Sequence, residues 1–275
     1  MIKIKFPQLG FACLAITLAF TACTKDQIAM APKVVKEWTI PLSTTYQNPA
    51  IAGRSETGTV MLKLLSDNSL AYTLSVTGLA YGDELVAAHI HTGNVAANGP
   101  VILPIDPVFT GSTATGVILN LRSSFADSLK SDLNELYFNI HSKQSPGGLV
   151  RGQLNVGIKF AADVVLSCNN QVPMTSTMTT GLSLLRLTTD KKLYSKLIVN
   201  NLAYGDNLLY AHIHKGAAGA NGPVIINLAE TAADFGVIKM FVLTDVNITS
   251  LTTEQVYVNV HSTNFPGGII RGQIR

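Results

Sequence analysis

The chain has 275 residues, with 20 Lys and Arg against 17 Asp and Glu, and a formal charge of +3. Hydrophobic residues make up 47% and charged residues 13%, which excludes a disordered chain and a protein with many membrane spans. Loss of the amino-terminal segment described next removes Lys3 and Lys5 and leaves 18 − 17 = +1. A nearly neutral protein lacks the basic surface that nucleic acid requires, so we expect no nucleic-acid partner.

The amino terminus has the pattern of a secretory signal. Lys3 and Lys5 precede the apolar run 9–20, which is too short to span a bilayer well, and Cys23 follows Thr-Ala. The arrangement resembles a bacterial lipobox, in which the cysteine becomes the lipidated first residue, although Phe20 stands where Leu, Val or Ile is usual. We therefore predict a lipoprotein signal peptide over residues 1–22 and lipidation of Cys23. Ordinary cleavage, with Cys23 as a bystander, is the alternative.

These features predict a protein anchored by lipid in the bacterial cell envelope, at the outer membrane, facing either the periplasm or the surface. Residues 23–36 form a predicted tether between the lipid and the first domain. Cys13 leaves with the signal and Cys23 is acylated, so Cys168 remains single and no intrachain disulfide is expected. Cys168 is predicted to be a small buried residue.

The rest of the chain is a repeat. The stretch AHIHTGNVAANGPV at 88–101 recurs as AHIHKGAAGANGPV at 211–224, an offset of 123 residues. A second block, YFNIHSKQSPGGLVRGQL at 137–154, recurs at 257–274 with an offset of 120. A period of this size is a whole domain. We predict two domains, 37–156 and 158–275, that pack against each other because almost nothing separates them.

Within each copy the hydrophobic period is two. Leu70, Tyr72, Leu74 and Val76 alternate with polar or small residues, and turn signals such as Asn98-Gly99-Pro100 are dense. This predicts two all-β domains of antiparallel strands, each a sandwich or barrel of immunoglobulin-like or superoxide-dismutase-like form. One helical segment is predicted in each copy, at 124–133 and 245–251. The Pro-Gly-Gly turn at 146–148 is predicted as type II, with positive φ at Gly147.

Every histidine of the chain occupies a repeated position, which gives each copy a set of three. His89 and His91 share one face of a strand, because alternate side chains point the same way. His141 shares a face with Tyr137 and Asn139 on a second strand. If the two strands are neighbours, three imidazoles converge in each copy. The two sets are His89, His91 and His141, and His212, His214 and His261. Arg151 and Gln153 are expected to line the same patch.

These motifs, AHIH…NGPV followed by YxNxHS…PGGxxRGQ, resemble the CHRD domain, a module of secreted bacterial proteins that occurs singly or in tandem. The resemblance covers both copies. It implies an extracellular all-β module, often without an assigned molecular role, and it does not imply an enzyme. The His-x-His strand also faintly resembles the copper-ligand strand of copper–zinc superoxide dismutases. Those enzymes need further histidines that this chain lacks.

Three interpretations of the histidines stay open. They bridge strands and loops structurally, with Asn139 and Asn259 fixing the adjacent turns. They bind Cu or Zn as three neutral imidazoles, with one coordination position left over. Or they hold an organic or glycan ligand together with Tyr and the accessory residues Arg151 and Arg271.

The sequence as a whole indicates a lipid-anchored envelope protein that acts as a binding or structural module. Its predicted partners are the membrane, through the lipid, and a protein or glycan ligand. The alternative is a metalloprotein that binds Cu or Zn through the histidine sets and has redox or hydrolytic activity. No catalytic residue is assigned, since no Ser or Cys nucleophile is paired with a His in both copies.

Overall fold

The computed structural model describes residues 31–275, so the predicted signal peptide, Cys23 and most of the predicted tether lie outside the described residues. The first strand begins at Val34. The last three residues of the predicted tether, 34–36, are therefore part of the first sheet. The sequence pattern does not mark the start of this strand, because Val34 and Val35 are adjacent apolar residues and both are about half exposed. Within the described residues no helix is long and apolar enough to span a membrane.

The first domain contains eight strands and one α-helix. The strands are β1 Val34–Ser43, β2 Thr57–Leu65, β3 Leu70–Thr77, β4 Leu85–Thr92, β5 Val101–Ile105, β6 Thr113–Ile118, β7 Leu136–Ser142 and β8 Val150–Gln153. Helix α1 spans Ser123–Lys130, so it ends three residues before the predicted boundary. A short 3-10 helix, Thr44–Tyr46, follows β1.

The second domain repeats this order. Its strands are β9 Ile158–Ser167, β10 Thr180–Thr188, β11 Lys192–Asn200, β12 Leu208–Lys215, β13 Val224–Ala229, β14 Ile238–Val242, β15 Val256–Ser262 and β16 Ile270–Gln273. Helix α2 spans Asp245–Thr253, two residues beyond the predicted end. Short 3-10 helices occur at Cys168–Asn170 and Ala232–Asp234.

Each domain is one antiparallel sheet of eight strands. The strand order is β5-β4-β7-β8-β1-β2-β3-β6 in the first domain and β13-β12-β15-β16-β9-β10-β11-β14 in the second. Of the two forms that the sequence left open, the structure therefore has the barrel-like one, a nearly closed sheet, in both domains. The order places β4 beside β7 and β12 beside β15, which are the strands that carry the histidines.

The core follows the predicted alternation. Val60, Leu62 and Leu64 of β2 are fully buried, whereas Met61 between them is 45% exposed. The second domain has a separate apolar core that includes the buried Cys168, as predicted. Each domain therefore buries its own hydrophobic residues.

The two domains contact each other through the loop after β1. Arg186 of β10 is fully buried, and its Nη2 donates to the carbonyl of Gln47 in the first domain. Its Nη1 donates to Asp163 Oδ1 at 2.7 Å. Asp163 also accepts from the backbone N–H of Ala50 at 2.6 Å, so both members of one ion pair in the second domain bind the loop of the first.

The prediction for the Pro-Gly-Gly turn is wrong in one detail. The positive φ, +125°, falls on Gly148 and not on Gly147. Gly148 donates its N–H to the carbonyl of Ser145 at 3.0 Å and closes the turn. A Cβ on Gly148 would lie 2.3 Å from Asn139 Nδ2, so both the positive φ and the nearby Asn139 side chain favour glycine at this position.

Candidate metal centre

The structure brings the three histidines of each domain together. In the register between β4 and β7, His89 lies opposite Asn139, and His91 lies opposite Tyr137. One nitrogen from each of His89, His91 and His141 lies within 4.8 Å of the other two. His212, His214 and His261 form the same arrangement in the second domain. The period of two on β4 and the pairing of β4 with β7 produce this cluster.

Backbone carbonyls fix the tautomers of two rings in each cluster. His91 Nδ1 lies 3.0 Å from the carbonyl of Gly99, and His141 Nδ1 lies 2.9 Å from that of Pro146. Because a carbonyl only accepts, both Nδ1 atoms carry the proton and both Nε2 atoms carry a lone pair. The second domain repeats this with His214 to Gly222 and His261 to Pro266, each at 2.9 Å.

The lone pairs that result have few partners. His91 Nε2, His214 Nε2, His261 Nε2 and His212 Nδ1 are buried and make no hydrogen bond. In the first domain His89 Nδ1 donates to His141 Nε2 at 2.9 Å. A buried polar atom without a partner costs about 1–3 kcal/mol, so its repetition in both domains needs an explanation.

The three imidazoles of each cluster suit a metal ion both in the type of ligand atom and in the spacing of their nitrogens. Bonds of about 2.0–2.1 Å to one ion place two ligand nitrogens at most about 4 Å apart. The observed limit of 4.8 Å therefore requires only small side-chain rotations. In the first domain His89 Nδ1 donates to His141 Nε2, so an ion held by all three rings would take the place of this hydrogen bond.

Burial keeps the imidazoles neutral. Desolvation lowers the pKa of every histidine in both clusters from the ordinary value of 6.5. The largest effect is on His212, where burial and then the neighbouring His261 and His214 lower the pKa to about 4. Neutral rings are the form that binds a metal ion.

His91 is one member of a stack of three planar groups. The His91 and Tyr137 rings lie 4.7 Å apart with planes inclined by 8°, and the Arg151 guanidinium lies 3.5 Å from the Tyr137 ring centre. Arg151 is fully buried and meets the cluster through the Tyr137 ring. It donates to Asn98 Oδ1 at 2.9 Å and so holds the loop that carries the Gly99 carbonyl. His214, Tyr257 and Arg271 repeat the stack.

Asn139 contacts the turn after β7 and also a residue that sequence reasoning missed. Gln47 Nε2 donates to Asn139 Oδ1 at 2.7 Å, and both side chains are buried. In the second domain Gln171 donates to Asn259 at 2.5 Å, and Asn259 donates to the Gly267 carbonyl. The signal was present as Gln-x-Pro at 47–49 and at 171–173, a repeat of three residues inside otherwise dissimilar loops.

Comparison with known proteins identifies the modules. The sequence signature of the CHRD domain matches residues 38–154 and matches again over residues 162–274. No curated protein and no solved structure matches the chain significantly. The two matched segments correspond to the two eight-stranded sheets and contain all six histidines. The chain belongs to the CHRD domain family and carries two such domains in tandem.

Proposed function

We propose that this protein is a lipid-anchored protein of the bacterial envelope whose two CHRD domains each bind one copper or zinc ion. The observation that supports the metal most directly is the presence of buried ring nitrogens without hydrogen-bond partners, one in the first domain, His91 Nε2, and three in the second. Two of the three rings in each set are held with Nε2 unprotonated. An ion shared by the three rings would satisfy these lone pairs together.

The ligand type favours copper or zinc. Imidazole nitrogen suits these ions, whereas Mg²⁺ and Ca²⁺ prefer oxygen, and no carboxylate belongs to either cluster. Three protein ligands leave one position of a tetrahedral ion open for water or another small ligand. The carbonyls of Gly99 and Pro146 then act as outer partners that orient the ligating rings.

The structural interpretation has its own support. His141 and His261 tie the Pro-Gly-Gly turns to the sheet through the carbonyls of Pro146 and Pro266. If that is their whole role, removing them lowers stability and the wild-type protein binds no metal tightly. The two interpretations therefore differ in a measurable stoichiometry.

The test is metal binding by the full chain, purified in mild detergent and stripped with a chelator. Titration with Cu²⁺ or Zn²⁺ should give two bound ions per chain. His141→Ala and His261→Ala should each reduce this to one, and the double variant should bind none. Thr92→Ala, next to His91 on β4, is the control and should keep both ions. Circular dichroism checks that each variant is folded.

Retention of no ion by the folded wild type would contradict the proposal. Two ions retained by folded His141→Ala would contradict it as well, because the ligand set would then be wrong.

A further inference from the structure

The two clusters differ at one position beside the first histidine. Two residues before His212 the second domain has Tyr210, and two residues before His89 the first domain has Ala87. The Tyr210 ring centre lies 5.1 Å from that of His212 and 4.6 Å from that of His261. Its hydroxyl reaches the Pro266 carbonyl at 3.5 Å. An aromatic ring therefore lies across two of the three imidazoles.

In the described part of the first domain no aromatic side chain takes the position of Tyr210. Among the described residues, the aromatic rings that contact His89 and His141 are the imidazoles of the cluster itself. The Ala87 methyl group occupies the place of the Tyr210 ring. Since Ala87 lies opposite His141 across the pairing of β4 with β7, it flanks the same two imidazoles.

A second difference lies beside His91. A cavity of about 510 Å³ adjoins this ring, and its walls include Asn48, Gln144 and Ser145. In the second domain Phe265 occupies the place of Ser145, and its side chain packs against the apolar core. The space beside His91 is lined by these polar residues together with Pro49 and Ile51, and the second domain has a larger, apolar residue at the position of Ser145.

We propose that the ion in the first domain accepts a small exogenous ligand at its open position, while Tyr210 closes the ion in the second domain to such ligands. This rests on the proposed function. The ligand class is a small anion or neutral donor able to replace a metal-bound water. To reach the second ion, such a ligand must displace a ring that is packed against His212 and His261. The first domain is then the exchangeable centre and the second the closed one.

Azide binding to Cu²⁺ separates the two sites. The full chain carrying His261→Ala presents only the first site, and the chain carrying His141→Ala presents only the second. Azide is titrated into each copper-loaded protein, and binding is followed by the charge-transfer absorption and the electron paramagnetic resonance spectrum. We expect azide to bind the second site at least about tenfold more weakly than the first, because its open position is covered.

Substitution at the position of Ala87 and Tyr210 should exchange the behaviour of the sites. Tyr210→Ala in the His141→Ala chain should bring azide affinity to within about threefold of the first site, an energy difference below 1 kcal/mol. Ala87→Tyr in the His261→Ala chain should weaken azide binding. Tyr210→Phe keeps the ring and is the matched control, so it should leave azide excluded.

Equal azide affinity at the two wild-type sites would overturn the inference. So would a copper-loaded Tyr210→Ala protein that gains no azide binding, or an Ala87→Tyr protein that loses none. Failure of the folded wild type to retain copper at all is a distinct result, because it contradicts the proposed function itself. If Tyr210→Ala fails to fold, Ala87→Tyr still tests whether a tyrosine at this position excludes azide.

Discussion

The guanidinium of Arg151 lies 3.5 Å from the centre of the Tyr137 ring, and it is fully buried. The strand order β4-β7-β8 places His91 on one side of that tyrosine and Arg151 on the other. Arg151 also donates to the carbonyls of Asn94 and Ala97 at 2.7 and 2.9 Å. Arg151 therefore contacts both the Tyr137 ring, which stacks on His91, and the loop whose Gly99 carbonyl orients His91.

We expect Arg151→Met to lower the stability of the first domain by at least about 3 kcal/mol, because buried hydrogen bonds to a charged group contribute about 1.5–3 kcal/mol each. Metal affinity in that domain should fall, since the loop that carries Gly99 loses its support. Denaturant unfolding and copper titration measure the two effects. Arg122→Met removes an exposed arginine and should change stability by no more than about 0.5 kcal/mol. An equal effect of both substitutions would contradict the assignment.

Two adjacent glycines make a matched pair. Gly148 has φ of +125°, and a Cβ there meets the buried Asn139 side chain, whereas a Cβ on Gly147 meets nothing within 4 Å. Gly148→Ala should therefore destabilise the first domain by about 2 kcal/mol or more, through backbone strain and displacement of Asn139. Gly147→Ala should stay within about 1 kcal/mol of wild type. Thermal unfolding of the two variants compares them directly, and equal melting temperatures would show that the turn tolerates a side chain at both positions.

The sequence predicts those parts of this architecture that follow from the period of two along the strands. Alternation along β3 places Leu70 and Leu74 in the core, and the same period puts His89 and His91 on one face. The long-range partners could not be predicted in this way. Gln47 and Asn139 are 92 residues apart, and Gln47 lies in a loop without any period. The burial of Arg151 likewise depends on a loop that folds over it, which no local pattern encodes.

The stability of the first domain should fall in acid, and Asp83 is one cause. Burial alone raises the pKa of this carboxyl, but hydrogen bonds from Arg54, Gln144 and Ser142 outweigh that effect and lower the pKa to about 2. A carboxyl whose pKa is depressed by folding contributes stability above its unfolded pKa. That contribution is lost as the pH falls from about 4 to about 2.

Asp83→Asn should therefore lower stability at neutral pH by about 2 kcal/mol and flatten the loss of stability between about pH 4 and pH 2. Asp132→Asn is the control for the loss of one carboxylate: the Asp132 side chain is 83% exposed, and its surface ion pair with Lys36 contributes at most about 1 kcal/mol. Chemical unfolding across this pH range measures both. If Asp83→Asn loses stability between about pH 4 and pH 2 as steeply as the wild type, other carboxyls cause the loss of stability in acid.

Lipid attachment can be tested at two cysteines of the same amino-terminal segment. Acyl chains stabilise membrane binding by about 0.8 kcal/mol per buried methylene, so a lipidated Cys23 should hold the protein in the membrane fraction. Cys23→Ser should release the protein to the soluble fraction or leave it unprocessed. Cys13→Ser lies inside the predicted signal and should behave as wild type. Intact-mass measurement then looks for the acyl mass, and its absence from the wild-type protein would contradict lipidation.

The second domain should fold independently of the first. It has its own eight-stranded sheet and its own apolar core, so a fragment of residues 158–275 should fold alone. The fragment loses the Gln47 carbonyl as an acceptor for Arg186, and Asp163 loses the Ala50 N–H. In their place the buried ion pair becomes partly solvated, and the fragment should melt several degrees below the full chain because the interface is gone. Circular dichroism should show β structure with one cooperative transition, and copper titration should give one bound ion. A fragment without β structure would mean that the two domains form a single folding unit.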